Sequence, residues 1–153
     1  MARSALWFCL LVPALFPASA EAATHLVRPD GTGDYPSIDA AIQAEEVVDG
    51  DVIELADGVF TGPNNRDVYF RGKAITVRSQ SDDPKACIID CQEYARAFVF
   101  AYGEGPSSVL EAVTITRGYG SSGGGIYITS SSPTVRRCIF TDNHAGDGGA
   151  IRT

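Results

Sequence analysis

Short apolar runs, separated by turn residues, occupy the chain from residue 51 to residue 153. Several runs carry β-branched residues at consecutive positions, and Gly, Pro, Asn, Asp and Ser lie between them. This pattern predicts a succession of short β-strands. The predicted strands are Asp51–Leu55, Val68–Phe70, Ala74–Arg78, Cys87–Asp90, Phe98–Ala101, Val109–Leu110, Val113–Thr116, Ile126–Ile128 and Val135–Phe140.

One segment before these runs has a helical period instead. Ile38, Ala41 and Ile42 form an apolar stripe at i, i+3 and i+4, and Ser37 can act as the N-cap. We predict a helix of about ten to twelve residues over Ser37–Val48. Its apolar stripe must pack on another element, because a helix this short gains most of its stability from tertiary packing.

A glycine-rich motif occurs twice, as GGGI from Gly123 and as GGAI from Gly148. The offset is 148 − 123 = 25 residues, and it superposes apolar residues on apolar residues and turn residues on turn residues. A period in the twenties with several strands per unit is typical of a solenoid, whose coils bury each other's apolar faces. The repeat positions expected to build the coil are Gly123, Gly124, Ile126, Phe140, Asn143, Gly148, Gly149 and Ile151.

The predicted fold is therefore all-β, a parallel β-helix with coils of about 25 residues. A leucine-rich repeat has a similar period, but its leucine pattern and its helix after each strand are missing from this sequence. The predicted helix is expected to cap the apolar core and the strand edge at the N-terminal end. We place the cap at about residues 24–50 and about four coils at about residues 51–153.

The N-terminal segment, residues 1–20, has the layout of a secretory signal peptide. Arg3 precedes the apolar stretch Ala5–Phe16, and Ala18-Ser19-Ala20 offers small residues to signal peptidase. A membrane anchor is the alternative, but the apolar stretch contains a proline and is shorter than the roughly twenty residues that span a bilayer. We expect cleavage after Ala20 and one domain over residues 21–153, with no later segment apolar enough to be a transmembrane helix.

Export would place the three mature cysteines under oxidising conditions. A strand between Cys87 and Cys91 would hold them about 13 Å apart, beyond the roughly 7 Å between Cα atoms that a disulfide allows. Only a turn between them would permit that bridge. We therefore expect Cys87, Cys91 and Cys138 to be buried and unpaired.

The formal net charge of −7 at pH 7 argues against a nucleic-acid partner, which would need a basic patch. The same acidity disfavours unassisted binding of an acidic polysaccharide, although bound calcium would reverse the local sign. No cofactor and no metal site are predicted from the residues, and calcium is the alternative left open.

Most of the mature sequence resembles known β-helix proteins. Val27–Gln43 (VRPDGTGDYPSIDAAIQ) and Gly50–Gly62 are similar to the opening of pectin lyase-like right-handed β-helix proteins. Asn64–Gln92 and Ser108–Ile128 resemble coils of secreted bacterial β-helix-repeat proteins. FTDN and GGAI, both within Phe140–Ile151, are similar to the paired FxxN and GGAI motifs of polymorphic outer-membrane proteins. The resemblance implies a right-handed parallel β-helix that is secreted or belongs to the cell envelope.

No catalytic residue is predicted, because the catalytic segments of lyases, hydrolases and pectin methylesterases of this superfamily have no match in residues 21–153. The pair Arg136-Arg137 beside Asp142 and Asp147 comes nearest to a lyase base with calcium ligands. The 25-residue offset stacks Arg117 on Asp142, which we interpret as a marginal ion pair between coils rather than the edge of a calcium groove. Asp82-Asp83 is interpreted as a solvated turn.

Asn143 is expected to hydrogen-bond the backbone at a coil corner rather than contact a ligand. Asp30–Asp34 (DGTGD) lacks the length and the closing Glu of an EF-hand, so we interpret it as a turn and not as a calcium loop.

Two functions are compatible with these residues. The first is an exported, non-catalytic protein of the cell surface or secreted fraction that uses its long β-face for adhesion or glycan binding, to a polysaccharide or a cell-surface glycan. The second is the N-terminal part of a polysaccharide lyase or glycoside hydrolase that acts on a pectin-like polysaccharide. Because Thr153 lies inside a coil, we also expect the chain to be a fragment, or to self-associate through an uncapped C-terminal end.

Overall fold

The computed structural model describes residues 21–153, and the predicted signal peptide lies outside the described residues. This part of the chain forms fifteen short strands, one α-helix (α1, Ile38–Gln43) and one 3-10 turn (Pro63–Asn65). The strands are β1 (Thr24–Val27), β2 (Val52–Leu55), β3 (Gly58–Phe60), β4 (Val68–Tyr69), β5 (Thr76–Ser79), β6 (Cys87–Asp90), β7 (Phe98–Phe100), β8 (Val109–Glu111), β9 (Thr114–Thr116), β10 (Tyr119–Ser122), β11 (Ile126–Ile128), β12 (Thr134–Arg136), β13 (Ile139–Thr141), β14 (His144–Asp147) and β15 (Ile151–Arg152).

Every strand pair is parallel, and the strands form four sheets along one axis. Each strand pairs with the corresponding strand one turn later in the chain, which is the topology of a parallel β-solenoid. The prediction of an all-β parallel β-helix is thereby confirmed. The sheets are sheet A (β1-β2-β5-β8-β12), sheet B (β3-β6-β9-β13), sheet C (β4-β7-β11-β15) and sheet D (β10-β14).

Sheet A has five strands, so the solenoid makes about five turns. Strand β1, which is not predicted from the sequence, precedes α1 and pairs in full with β2. In sheet A, Ile53, Val77, Leu110 and Val135 stack in register, at spacings of 77 − 53 = 24, 110 − 77 = 33 and 135 − 110 = 25 residues. The 25-residue period thus describes the last turn, whereas earlier turns differ in loop length and keep the same strand register.

Inward side chains stack on their equivalents in adjacent turns and form a continuous apolar core. In sheet B, Phe60, Ile89, Ile115 and Phe140 share one register position. Phe70 directly follows β4, and its ring centroid lies 4.3 Å from that of Phe100 in β7. Each buried aliphatic or aromatic side chain of this kind contributes about 1.5–3 kcal/mol relative to exposure.

Corners between sheets use left-handed backbone conformations, many of them at residues other than glycine. Ala112 (φ 55°) and Arg137 (φ 55°) occupy the same corner in successive turns, and so do Arg117 (φ 52°) and Asp142 (φ 53°). The prediction of one strand over Val135–Phe140 was wrong, because Arg137 breaks this segment into β12 and β13. The sequence contains no glycine or proline at that corner to indicate the break.

The repeated glycines lie at a third corner. Gly123 and Gly148 both have φ 63°, the conformation that glycine adopts without a Cβ penalty. Gly124 has no positive φ, but a Cβ there would collide with the carbonyl oxygen of Gly149 and lie 2.6 Å from that of His144. The close approach of the next turn therefore excludes any side chain at Gly124.

The helix α1 is shorter than predicted, six residues rather than ten to twelve. The Ser37 side chain caps it as predicted and accepts a hydrogen bond from the Ala40 backbone N–H at 3.2 Å. The helix ends at Gln43 because the chain turns to bury Val47, and the Lys73 ammonium donates to the carbonyls of Ala44 and Val47 at 2.7 and 2.8 Å. The capping role of α1 stays a prediction.

The three cysteines of the described residues are unpaired, as predicted, and Cys87 and Cys91 are buried while Cys138 is half-buried. Burial raises the pKa of Cys87 and of Cys91 to about 12, so both thiols stay protonated at neutral pH. Within residues 21–153, the single α-helix is too short to cross a bilayer.

The substitution Gly124→Ala tests the close approach of the last two turns. We expect it to lower the free energy of unfolding by about 1–3 kcal/mol, as overpacking does in cores. Gly105→Ala is the matched control, because a Cβ at Gly105 meets no atom within 4 Å, and it should change stability by no more than about 0.5 kcal/mol. Urea unfolding of both variants measures the difference, and equal stabilities would contradict the close approach.

Candidate functional site

We use the name tyrosine face for Tyr69 and Tyr127, which lie in strands of sheet C, together with Tyr94 and Tyr102, which lie in the loops before and after β7. Tyr69, Val99 and Tyr127 occupy one register position in three successive strands, and their neighbours in each strand belong to the core. Alternation along a strand therefore points these three side chains outward. Val99 is only 3 % exposed even so, which means that neighbouring side chains on this face shield it from solvent.

Tyr102 extends the tyrosine face beyond the end of β7. Its ring lies 6.2 Å from that of Tyr69 in an edge-to-face arrangement, and its side chain is 61 % exposed. Aromatic pairs with this geometry contribute about 0.5–1.5 kcal/mol beyond the area that they bury. The two rings thus form a paired, solvent-facing aromatic surface.

The loop of Tyr102 is held by the buried carboxylate of Glu104. This carboxylate accepts hydrogen bonds from the backbone N–H groups of Gly72 and Tyr102 at 2.9 and 2.8 Å, and from the Ser131 hydroxyl at 2.8 Å. Burial alone would raise the pKa of Glu104, but these donors outweigh it and lower the pKa below the ordinary value. Glu104 therefore stays ionised and joins the corners of three turns.

Two arginines lie against tyrosine rings of this face. The guanidinium carbon of Arg96 lies 5.0 Å from the ring centroid of Tyr127, and that of Arg66 lies 4.8 Å from that of Tyr94. Arg66 also donates to the Gln92 side-chain oxygen at 2.7 Å. Both distances are those of cation–π contacts, which contribute about 0.5–1 kcal/mol at exposed sites.

The sequence analysis does not identify the tyrosine face. Its signal was present in the strand motifs Val68-Tyr69 and Ile126-Tyr127-Ile128, where a tyrosine alternates with core residues. Period-two alternation of this kind marks a side chain on the outer side of a sheet. Tyr94 and Tyr102 lie in loops, where no period could have revealed them.

Sheet A carries a different outer surface, a ladder of alternating charges that consists of Glu54, Arg78, Glu111 and Arg136 in register. The Arg78 guanidinium donates to Glu54 at 2.6 Å, and that of Arg136 donates to Glu111 at 2.8 Å. Burial would raise the pKa of Glu111, but the hydrogen bonds from Arg136 and Arg137 lower it. The ladder is thus internally neutralised.

The arginines that the sequence analysis singled out have other partners than expected. Arg117 forms a two-point ion pair with Asp90 in the preceding turn, although its backbone does stack on Asp142 as the offset indicates. The expected pair with Asp142 was therefore wrong. Asp90 lies one turn before Arg117, and Asp142 lies one turn after it. The Arg117 guanidinium contacts the carboxylate of Asp90, whose side chain is only 14 % exposed.

Arg137 binds the carboxylates of both Asp82 and Glu111, and no ion pair joins it or Arg136 to Asp142 or Asp147 in the described segment. Asp82 therefore forms an ion pair with Arg137. The interpretation of Asp82-Asp83 as a solvated turn did not predict this ion pair. The Arg137 guanidinium lowers the pKa of Asp82.

The predicted repeat positions lie at equivalent places in the last two turns. Ile126 pairs with Ile151 in sheet C, and Phe140 pairs with Ile115 in sheet B. Gly148 and Gly149 lie at the corner that precedes β15. Asn143 lies at the corner before β14. Its side chain accepts from the Gly118 N–H at 2.7 Å and donates to the Ile115 carbonyl at 2.9 Å, so its amide is occupied by backbone of the preceding turn.

Residues 21–153 contain no group of three or more His, Cys, Asp or Glu side chains placed to hold a metal ion. In the DGTGD segment, Asp30 accepts from the backbone and side chain of Thr32, and Asp34 accepts from the Leu26 N–H. This segment forms hydrogen-bonded turns beside β1.

Residues 137–153 match the Chlamydia polymorphic membrane protein repeat. This segment runs from the Arg137 corner through β13, β14 and β15, and it contains the FTDN and GGAI motifs. The match confirms the predicted resemblance and indicates a surface or outer-membrane protein. No curated protein and no solved structure shows significant similarity to the chain. The pectin lyase-like part of the resemblance stays a prediction.

The role of Glu104 in holding the Tyr102 loop predicts a specific pH dependence. A carboxylate whose folded pKa is lowered stabilises the fold above its unfolded pKa, which is about 4.3 for Glu, and that contribution is lost as the pH falls below this value. Glu104→Gln should therefore lower the free energy of unfolding at pH 7 by about 1–3 kcal/mol. It should also flatten the decline of stability below about pH 4.3.

The exposed residue Glu45 supplies the control. Glu45→Gln should keep both the stability at pH 7 and the acid decline of the unsubstituted chain, measured by urea unfolding from pH 7 to pH 3. If Glu104→Gln behaves like Glu45→Gln, the carboxylate does not hold the corner.

Proposed function

We propose that the chain is a non-catalytic adhesion protein of the cell surface or outer membrane that binds glycans on its tyrosine face. The observation that carries the proposal is the outward line of Tyr69 and Tyr127 on sheet C, with two further tyrosines in the loops beside β7. Tyr94 and Tyr102 are 76 % and 61 % exposed, in a chain whose apolar side chains are otherwise mostly stacked inside the turns.

The chemistry of tyrosine suits a sugar. One face of a pyranose ring presents C–H groups that pack on an aromatic ring, while the phenol hydroxyl remains available for hydrogen bonds. Exposed apolar patches with polar surroundings are typical of interaction sites. The surface is also ordered before binding, because Tyr69 and Tyr127 extend from paired strands and Glu104 fixes the loop of Tyr102. An ordered surface loses less conformational entropy when it binds.

The solenoid supports such a role because equivalent side chains recur along its axis. Tyr69 and Tyr127 lie two turns apart on sheet C, which corresponds to about 10 Å at the spacing of adjacent strands. An extended chain of sugars can therefore contact both rings. The repeat match to a polymorphic membrane protein agrees with exposure of this surface outside the cell.

The second candidate, part of a polysaccharide lyase or glycoside hydrolase, needs acidic residues clustered for acid/base work. Asp82 and Glu111 approach the same guanidinium, and both are ion-paired with Arg137. A carboxylate held in this way is a weak proton donor, because the arginine lowers its pKa. This arrangement favours the non-catalytic candidate.

A glycan array probed with the purified chain tests the proposal. We expect binding to a subset of oligosaccharides, and a loss of about tenfold in affinity for Tyr69→Ala and for Tyr127→Ala, because each removes a stacking platform. Tyr127→Phe keeps the ring and should retain most of the binding. Val59→Ala removes apolar surface from the 46 % exposed valine on sheet B and should have no effect.

Circular dichroism of each variant establishes that it is folded before the comparison is made. The proposal is contradicted if the chain binds no glycan, or if the two alanine variants bind as well as Val59→Ala.

A further inference from the structure

Arg66 and Arg96 differ from the four arginines that form ion pairs between turns. Arg78, Arg117, Arg136 and Arg137 each donate hydrogen bonds to a carboxylate of a neighbouring turn. Arg66 donates to the neutral Gln92 amide instead. Arg96 comes no closer than 3.9 Å to the Asp67 carboxylate, which is beyond hydrogen-bonding distance. Within residues 21–153, these two guanidinium groups therefore hold charge without a hydrogen-bonded carboxylate.

We propose that the tyrosine face binds an anionic glycan, whose carboxylate or sulfate groups accept hydrogen bonds from Arg66 and Arg96. This inference rests on the glycan binding proposed above and names the class of sugar. A guanidinium group is the preferred partner of such anions, because its planar fork of N–H donors matches two oxygens of one anion.

Both arginines are placed in advance of binding. Arg96 lies over the Tyr127 ring, and Arg66 lies over the Tyr94 ring and is hydrogen-bonded to Gln92. Stacking restricts their rotamers, so less entropy is lost when they receive a ligand. Each cation covers one face of its tyrosine ring, so a sugar ring would pack on the other face.

The tyrosine face carries several cationic groups although the chain as a whole is acidic. The formal net charge is −7, yet Arg152 pairs with Tyr127 in sheet C, and the Glu104 carboxylate is buried and hydrogen-bonded. Asp67 is the exposed carboxylate beside Arg96, at 3.9 Å. A sparsely charged anion gains from the local arginines, whereas a dense polyanion is repelled by the rest of the molecule. This difference favours a glycan over a nucleic acid. On this surface we therefore expect an acidic polysaccharide to bind, although the net negative charge of the chain argues against it.

The test uses one polysaccharide backbone in three states: chondroitin, which carries carboxylates; chondroitin sulfate, which carries both groups; and carboxyl-reduced chondroitin, which is neutral. An oligodeoxythymidylate is the fourth probe. Calorimetric titration with the full purified chain should show binding to one or both anionic forms, weakened by added salt, and at least about tenfold weaker binding of the neutral form. The comparison of chondroitin with its sulfate identifies the anion.

The variants Arg66→Gln and Arg96→Gln should each weaken binding of the anionic form at least about fivefold and leave the neutral form unaffected. Arg28→Gln is the matched control, because Arg28 is an exposed arginine after β1 of sheet A and its loss changes the net charge equally. We expect Arg28→Gln to bind as the unsubstituted chain does.

Each of the other outcomes contradicts one specific part of the proposal. If neutral and anionic forms bind equally, the anion preference is wrong while glycan binding stands. If all three variants lose affinity equally, the effect is general electrostatics and the site is wrong. If the oligodeoxythymidylate binds best, the ligand class is wrong. If none of the four probes binds, the anionic glycan is wrong, and the glycan array decides separately on the proposed function.

Discussion

The fold depends on one constraint, the register of each turn on the turn before it. Inward side chains must stack directly on their equivalents, as Ile53, Val77, Leu110 and Val135 do in sheet A. Since side chains alternate along a strand, a slip of one residue would move every core residue to the outer side. The same register that builds the core therefore fixes what lies outside, including the tyrosines of sheet C and the charge ladder of sheet A.

The corners between sheets also repeat in register, and this repetition determines where charged side chains lie on the surface. Residues in left-handed conformation recur at equivalent corners of successive turns, and several of them are charged. Arg117 and Arg137 lie at such corners, and their side chains reach carboxylates in other turns. In the loops before β4 and β7, Arg66 and Arg96 are stacked on tyrosine rings instead. Two outer surfaces of different character thus arise from one backbone repeat, one closed by ion pairs between turns and one lined by tyrosine and arginine.

The period and the inward positions could be predicted from the sequence, because glycine at Gly123 and Gly148 and apolar residues at fixed offsets are direct consequences of stacking. The break at Arg137 could not, since an arginine with positive φ is imposed by the turns on either side and leaves no turn residue in the sequence. The length of α1 depends on the burial of Val47 and on Lys73, which lies 26 residues away. These are tertiary effects without a local signal.

The candidate site was hidden for a related reason. A tyrosine in a strand is compatible with core or surface, and only the register of sheet C shows that Tyr69 and Tyr127 share one outward line. Arg117 has a carboxylate in the turn before it and another in the turn after it. The 25-residue offset does not show which of the two the arginine contacts. Sequence periodicity therefore predicts positions along a turn, whereas side-chain partners require the three-dimensional neighbours.

The stacking of strands in chain order has a mechanical consequence. The hydrogen bonds between turns run along the solenoid axis, so tension along that axis loads the ladders in series and opens them one turn at a time. With turns of 24 to 33 residues in sheet A, each opening would release roughly 80–115 Å of extended chain. Such a molecule lengthens in steps under load, and the turns that remain closed keep their shape.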